Sequence, residues 1–127
     1  MIDTYFTQLL QILQTFPNIQ SSTVKTKRYN GKQGYISGSI HFETGCRLEF
    51  VEVKDMDRPE KVKYRYQYMD HQNVCLFRYD NAHHHRDIAT FPHHKHEREN
   101  IEESDEPTLF DVLFEIAEYE RSNGNQE

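Results

Sequence analysis

The stretch that decides the fold is residues 61–68, "KVKYRYQY". On an extended chain Val62, Tyr64, Tyr66 and Tyr68 fall on one side, and Lys61, Lys63, Arg65 and Gln67 on the other. A period of two marks a strand with one covered and one wetted face. The tyrosine row reads first as core, and the basic row as a solvated face or a polyanion track.

The neighbouring stretches repeat the pattern. "STVKTKRY" (22–29) is β-branched and alternating, and "GKQG" (31–34) signals a turn. "YISGSIHF" (35–42) aligns Ile36, Ile40 and Phe42. "CRLEFVEV" (46–53) alternates through Leu48 and Phe50 until Val51 breaks the rhythm, which suggests a bulge there. "VCLFRYD" (74–80) follows the turn at 70–73. Short strands joined by short turns form an antiparallel meander. Residues 3–16 read as an amphipathic helix capped by Asp3 and ended by Pro17. A second helix begins near Pro107, with Leu109, Val112, Leu113, Ile116 and Tyr119 on its apolar side. The expectation is an α+β fold: an antiparallel meander sheet of four to six strands with an N-terminal and a C-terminal helix. Residues 1–127 read as a single domain, with 97–106, "ERENIEESDE", as an acidic, flexible linker.

Composition narrows the class. Eight Tyr and eight Phe supply much of an apolar fraction of only 35%, so the core is expected to be aromatic. No segment approaches a membrane span, and no secretory signal is visible. Cys46 and Cys75 are too few for a disulfide scaffold and read as reduced thiols of a cytoplasmic protein. The net charge of −6 is divided unevenly: residues 1–96 carry +3 and residues 97–127 carry −9. A basic body with an acidic end admits a polyanion partner, although acidic residues also simply keep a helix solvated.

The chemistry concentrates in residues 78–96, "RYDNAHHHRDIATFPHHKH", which hold six of the eight histidines. Two imidazoles on opposite sides of a phosphodiester can cut RNA without metal, one taking the 2′-OH proton and one protonating the leaving oxygen. His84, His85, His93, His94 and His96 are the acid–base candidates, and Arg78 and Lys95 the cations for the phosphate. Arg65 and Tyr66 can add phosphate and base contacts, Tyr79 can stack on a base, and Asp80 can orient an imidazole. The same residues permit metal binding, with His83 beside His85 and His94 beside His96 as facing pairs. A solvated histidine tract is the third reading. His41 and His71 read as incidental, and His83 as an unanchored turn position.

"YRY" (64–66), "FRYDNA" (77–82), "HH" (84–85) and "TFPHHKH" (90–96) together resemble the TumE-type toxins of bacterial toxin–antitoxin pairs. Their pattern runs F-R-Y-D-N-A-P-H-H-P and then T-F-P-H-H-K-H. This chain departs from it at His83 and Arg86, where the family has prolines. The resemblance implies a cytoplasmic toxin encoded beside a helix-turn-helix antitoxin, with an RNA-cutting activity; the imidazole chemistry itself is expected to need no cofactor or metal. By matching position it implies roles for Arg78, Tyr79, Asp80, Asn81, His84, His85, His93, His94, Lys95 and His96. The expected partners are the antitoxin protein and RNA, with no membrane; a homodimer stays open. One of His84/His85 and one of His93/His94 are expected to form the acid–base pair. Lys95 and Arg78 are expected to steady the phosphate, and Arg65, Tyr66, Tyr79, Asp80, Asn81 and His96 to contact the substrate.

Overall fold

The computed structural model describes residues 1–83 and 88–124. Helix α1 spans Ile2–Leu13; strands follow at β1 (Ile19–Arg28), β2 (Gln33–Phe42), β3 (Arg47–Asp55), β4 (Lys63–Met69) and β5 (Cys75–Asp80). Then come β6 (His94–Glu97), β7 (Asn100–Glu103) and helix α2 (Leu109–Gly124). The strands lie side by side in chain order as one antiparallel sheet. No described helix is long and apolar enough to cross a membrane.

The meander with a helix at each end is as the sequence predicts, but the sheet has seven strands rather than four to six. The additional pair is the β6–β7 hairpin. Its second strand lies within the run expected to be a linker, and every residue of it is exposed. A strand with no covered side chain has no apolar alternation to reveal it. Its turn, Arg98-Glu99, also lacks glycine, proline and asparagine, with Arg98 itself at φ 58°. Charged residues along such an edge also discourage pairing with another chain.

Both helices cover the same face of the sheet. Ile2, Phe6, Leu9 and Leu13 of α1 recur at helical spacing and join one core with Ile36, Ile40, Leu48 and Phe50. Leu109, Val112, Leu113 and Ile116 of α2 complete it, together with Tyr64, Tyr66, Tyr68 and Phe77. Thr108 caps α2: its Oγ1 accepts from the Asp111 amide at 3.1 Å, and the Asp111 carboxylate accepts from the Thr108 amide at 3.0 Å. The opposite face of β2, β3 and β4 is left half-buried or exposed, the normal outcome for an antiparallel sheet with a single helical layer.

Register runs unbroken through Val51, which pairs with Ser37 and Arg65, so no bulge forms there. The inward alternation continues as Leu48, Phe50, Glu52, Lys54. Glu52 is 0% exposed, and it accepts hydrogen bonds from Tyr66 (2.6 Å) and from the Tyr5 hydroxyl of α1. A polar residue at a core position disguises the strand rhythm, while the two phenols satisfy it.

Candidate functional site

The site is assembled by cross-strand register on the uncovered face. Arg65 of β4 lies opposite Asp80 of β5, which lies opposite His94 of β6. One step along, Gln67, Arg78 and His96 form a parallel row. Residues two apart on a strand share a face. Two such rows therefore bring together, on neighbouring positions, residues separated by up to thirty-one places in the chain.

Asp80 is the centre of this grid and only 6% exposed. Arg78 donates Nε to its Oδ2 at 3.0 Å, and the Ala82 amide donates to Oδ1 at 3.0 Å. His94 Nε2 lies 2.9 Å from Oδ1, and His96 Nε2 lies 3.5 Å from Oδ2. The two imidazoles meet edge to face with ring centroids 4.8 Å apart. His94 is 1% exposed, and its Nδ1 donates to the Pro92 carbonyl at 2.9 Å. A neutral imidazole carries one proton, so the bond to Pro92 leaves Nε2 as a lone pair directed at the carboxylate. A proton shared between the two makes that contact attractive.

Beside Asp80 opens a cleft of about 590 Å³. Lys63, Arg65, Arg78 and His83 bring positive or protonatable groups to its wall, with Val51 and Ala82 as apolar lining. A shallower depression of about 310 Å³ shares Val51 and Arg65 and extends to Lys25 on β1. His83 packs near Phe91, with ring centroids 5.6 Å apart. Its place in the cleft wall is one that sequence reasoning passed over. Its only signal was adjacency to the histidine pair.

Several expected site residues lie elsewhere. Lys95 sits between His94 and His96 in the chain, so its side chain emerges on the helical face, where Nζ donates to Glu115 of α2 at 2.8 Å. Burial works against its charge, but Glu115 more than compensates and holds the ammonium above the ordinary lysine value. At that location Lys95 cannot steady a phosphate held beside Asp80. Tyr79 is on the same face and donates to Glu115 at 2.5 Å; burial, then Glu115, pushes its phenol up to about 12. Tyr66 is fully buried and bonded to Glu52, so it offers no face to a base. His93, next to His94, points the other way: it stacks on Tyr64 with Nδ1 2.9 Å from the hydroxyl. Asn81 spends its amide on backbone, accepting from Tyr64 N at 3.0 Å and donating to the Val62 carbonyl at 3.3 Å. Lys61 precedes β4 and is buried, its Nζ donating to the Pro107 carbonyl at 2.7 Å. Arg65, Arg78, Asp80, His94 and His96 are thus the expected residues that share one face. His84 and His85 lie outside the described residues.

The chain matches the family model described as "Toxin TumE" over residues 9–122. No curated protein and no solved structure matches it.

Proposed function

The chain belongs to the TumE toxin family, and from that premise we propose that it is the toxin of a toxin–antitoxin pair and cuts RNA by imidazole acid–base catalysis. It acts in the cytoplasm and is neutralised by a helix-turn-helix antitoxin. The observation that carries this reading is the convergence of Arg78, His94 and His96 on the buried Asp80 carboxylate at the edge of a cation-lined cleft.

In the proposed reaction one imidazole takes the proton of a ribose 2′-OH, and the oxygen attacks the adjacent phosphorus. The bond from phosphorus to the 5′-oxygen breaks, and a second imidazole protonates that oxygen. The products are a 2′,3′-cyclic phosphate and a 5′-hydroxyl. His94 serves as one of the pair, its Nε2 turning from the Asp80 carboxylate to the substrate while Nδ1 stays on the Pro92 carbonyl. His84 or His85 serves as the other. His96 and Arg78 act at the same carboxylate, and Arg78 with Arg65 stabilises the charge on the phosphoryl oxygens.

The test is incubation of RNA with the purified full chain in excess EDTA, with product ends identified. Cleavage that leaves cyclic phosphate is expected. His94→Ala and Asp80→Asn should lower the rate by a factor on the order of 10² or more, while folding, followed by circular dichroism, is retained. His93→Ala, which alters the opposite face, should leave the rate nearly unchanged. RNA left intact with and without divalent metals would overturn the proposal.

A further inference from the structure

The contact between His94 and Asp80 has a second chemical solution besides a proton. We infer that Asp80, His94 and His96 form a binding site for one divalent transition-metal ion of the zinc, nickel or cobalt type. The inference concerns binding and stands whether or not the chain cuts RNA.

Geometry supports it first. One donor atom from each of the three residues can be chosen so that all lie within 4.8 Å of one another. Two donors bound to one ion at about 2.1 Å stand roughly 3.0 Å apart at a right angle and roughly 3.4 Å apart at the tetrahedral angle. His94 Nε2 stands 2.9 Å from Oδ1 and His96 Nε2 stands 3.5 Å from Oδ2, so each imidazole lies at about such an edge from one of the two oxygens of the same carboxylate. An ion bound by both carboxylate oxygens meets both imidazoles, and one bound by a single oxygen draws the more distant donor inward from within 4.8 Å.

The surroundings of the ligands support it independently. A metal-binding imidazole needs its free nitrogen unprotonated, and the usual device is a hydrogen bond from the other nitrogen to a carbonyl or carboxylate. The Pro92 carbonyl does this for His94. Arg78 and the Ala82 amide fix the Asp80 carboxylate, so it too is held in place before any ion arrives. Two imidazoles and one carboxylate suit zinc, nickel or cobalt, and the nitrogen donors disfavour calcium or magnesium. Among the described residues the site offers three ligands, and a tetrahedral zinc takes a fourth.

A second group, Glu60, His93 and Glu106, also brings three donors together, on the opposite face. Glu60 is exposed there, and Glu106 is already committed to the Lys61 amide (3.1 Å) and ammonium (3.4 Å). That competition makes it the weaker site and a useful internal control.

Metal and proton compete for the same lone pair on His94, so an occupied site withdraws that imidazole from proton transfer. Zinc supplied in excess over any chelator should therefore inhibit the cleavage that the metal-free chain performs.

The direct test is titration of the metal-stripped full chain with Zn²⁺ by calorimetry, and with Co²⁺ by visible absorption. One equivalent is expected, with a cobalt spectrum typical of nitrogen and oxygen ligands. Asp80→Asn and His96→Gln, each checked for native circular dichroism, should weaken binding at least tenfold. His93→Ala should leave it unchanged. Failure to bind one equivalent overturns the inference, as does binding that is equally strong in His96→Gln, since the ion would then sit on other histidines. A chain that binds zinc and leaves RNA intact upholds this inference and overturns the enzymatic one, and the converse result separates them the other way.

Discussion

At the residue scale, the direction of a side chain decides its chemistry more than its type. His94, Lys95 and His96 are consecutive, yet Lys95 meets Glu115 beneath the helix while its neighbours meet Asp80 on the uncovered face. Lys95→Ala should consequently leave RNA cleavage and zinc binding unchanged and lower stability by about 1 kcal/mol, read from urea denaturation. Reduced cleavage without reduced stability would place Lys95 at the reaction after all. Glu52 makes the complementary case. Its carboxylate accepts from two phenols in a dry environment, and Glu52→Gln turns one acceptor into a donor facing the Tyr66 hydroxyl. That change should cost roughly 1–3 kcal/mol of stability at neutral pH. Wild-type denaturation midpoints in Glu52→Gln would show that the phenol pair adds nothing.

At the element scale, strands are set by what they pack against. Gly38 of β2 faces inward between Ile36 and Ile40. A Cβ placed there would lie 2.7 Å from the Phe50 ring and 3.0 Å from the Thr23 carbonyl. The second contact is backbone and cannot swing aside, so Gly38→Ala should destabilise by roughly 1–3 kcal/mol. A denaturation curve superimposable on wild type would mean that β1 and β2 separate more readily than their register implies. The β6–β7 hairpin shows the opposite balance. Its outer strand buries nothing, and it is held by ladder bonds to a neighbour that carries two site histidines.

At the scale of the whole molecule, the single helical layer creates the functional asymmetry. The covered face buries the aromatic core beneath helix α2, whose exposed side carries Asp111 and Glu118. The uncovered face presents Lys25, Lys63, Arg65 and Arg78 around linked depressions. Single-stranded RNA bound there should lose affinity as salt rises, and Arg65→Ala should lower the slope of log affinity against log salt by about 0.7. An unchanged slope would remove Arg65 from the binding path. The core also makes a prediction about base. Burial, then Glu52, raises the Tyr5 and Tyr66 phenols above their ordinary value; burial followed by Cys46 and Glu120 does the same for Tyr68. Their neutral form is therefore favoured by folding. That contribution is complete below a pH of about 10 and fades as pH rises above it. Phenolate absorbance from these residues should appear only together with loss of near-ultraviolet dichroism. Titration near pH 10 with the fold intact would contradict their burial.

Period-two patterning in 35–42 and 61–68, helical spacing at both ends, and the mixed motif of 77–96 were enough to establish the meander, the two helices and the family. These are local signals: each is written in residues a few places apart. The strand nature of 100–103 and the continuity of β3 through Val51 were hidden, because an exposed strand and a buried glutamate both break the apolar rhythm. Which histidines meet is not local at all. It depends on the registers Arg65–Asp80–His94 and Gln67–Arg78–His96, and a shift of one residue in either pairing would send the imidazoles to the helical face. The sequence by itself determined the first five strands, the two helices and the stock of reactive groups. Only tertiary structure decided that Asp80, His94 and His96 share a face while His93 and Lys95 do not, because facing is fixed by strand pairing across the sheet.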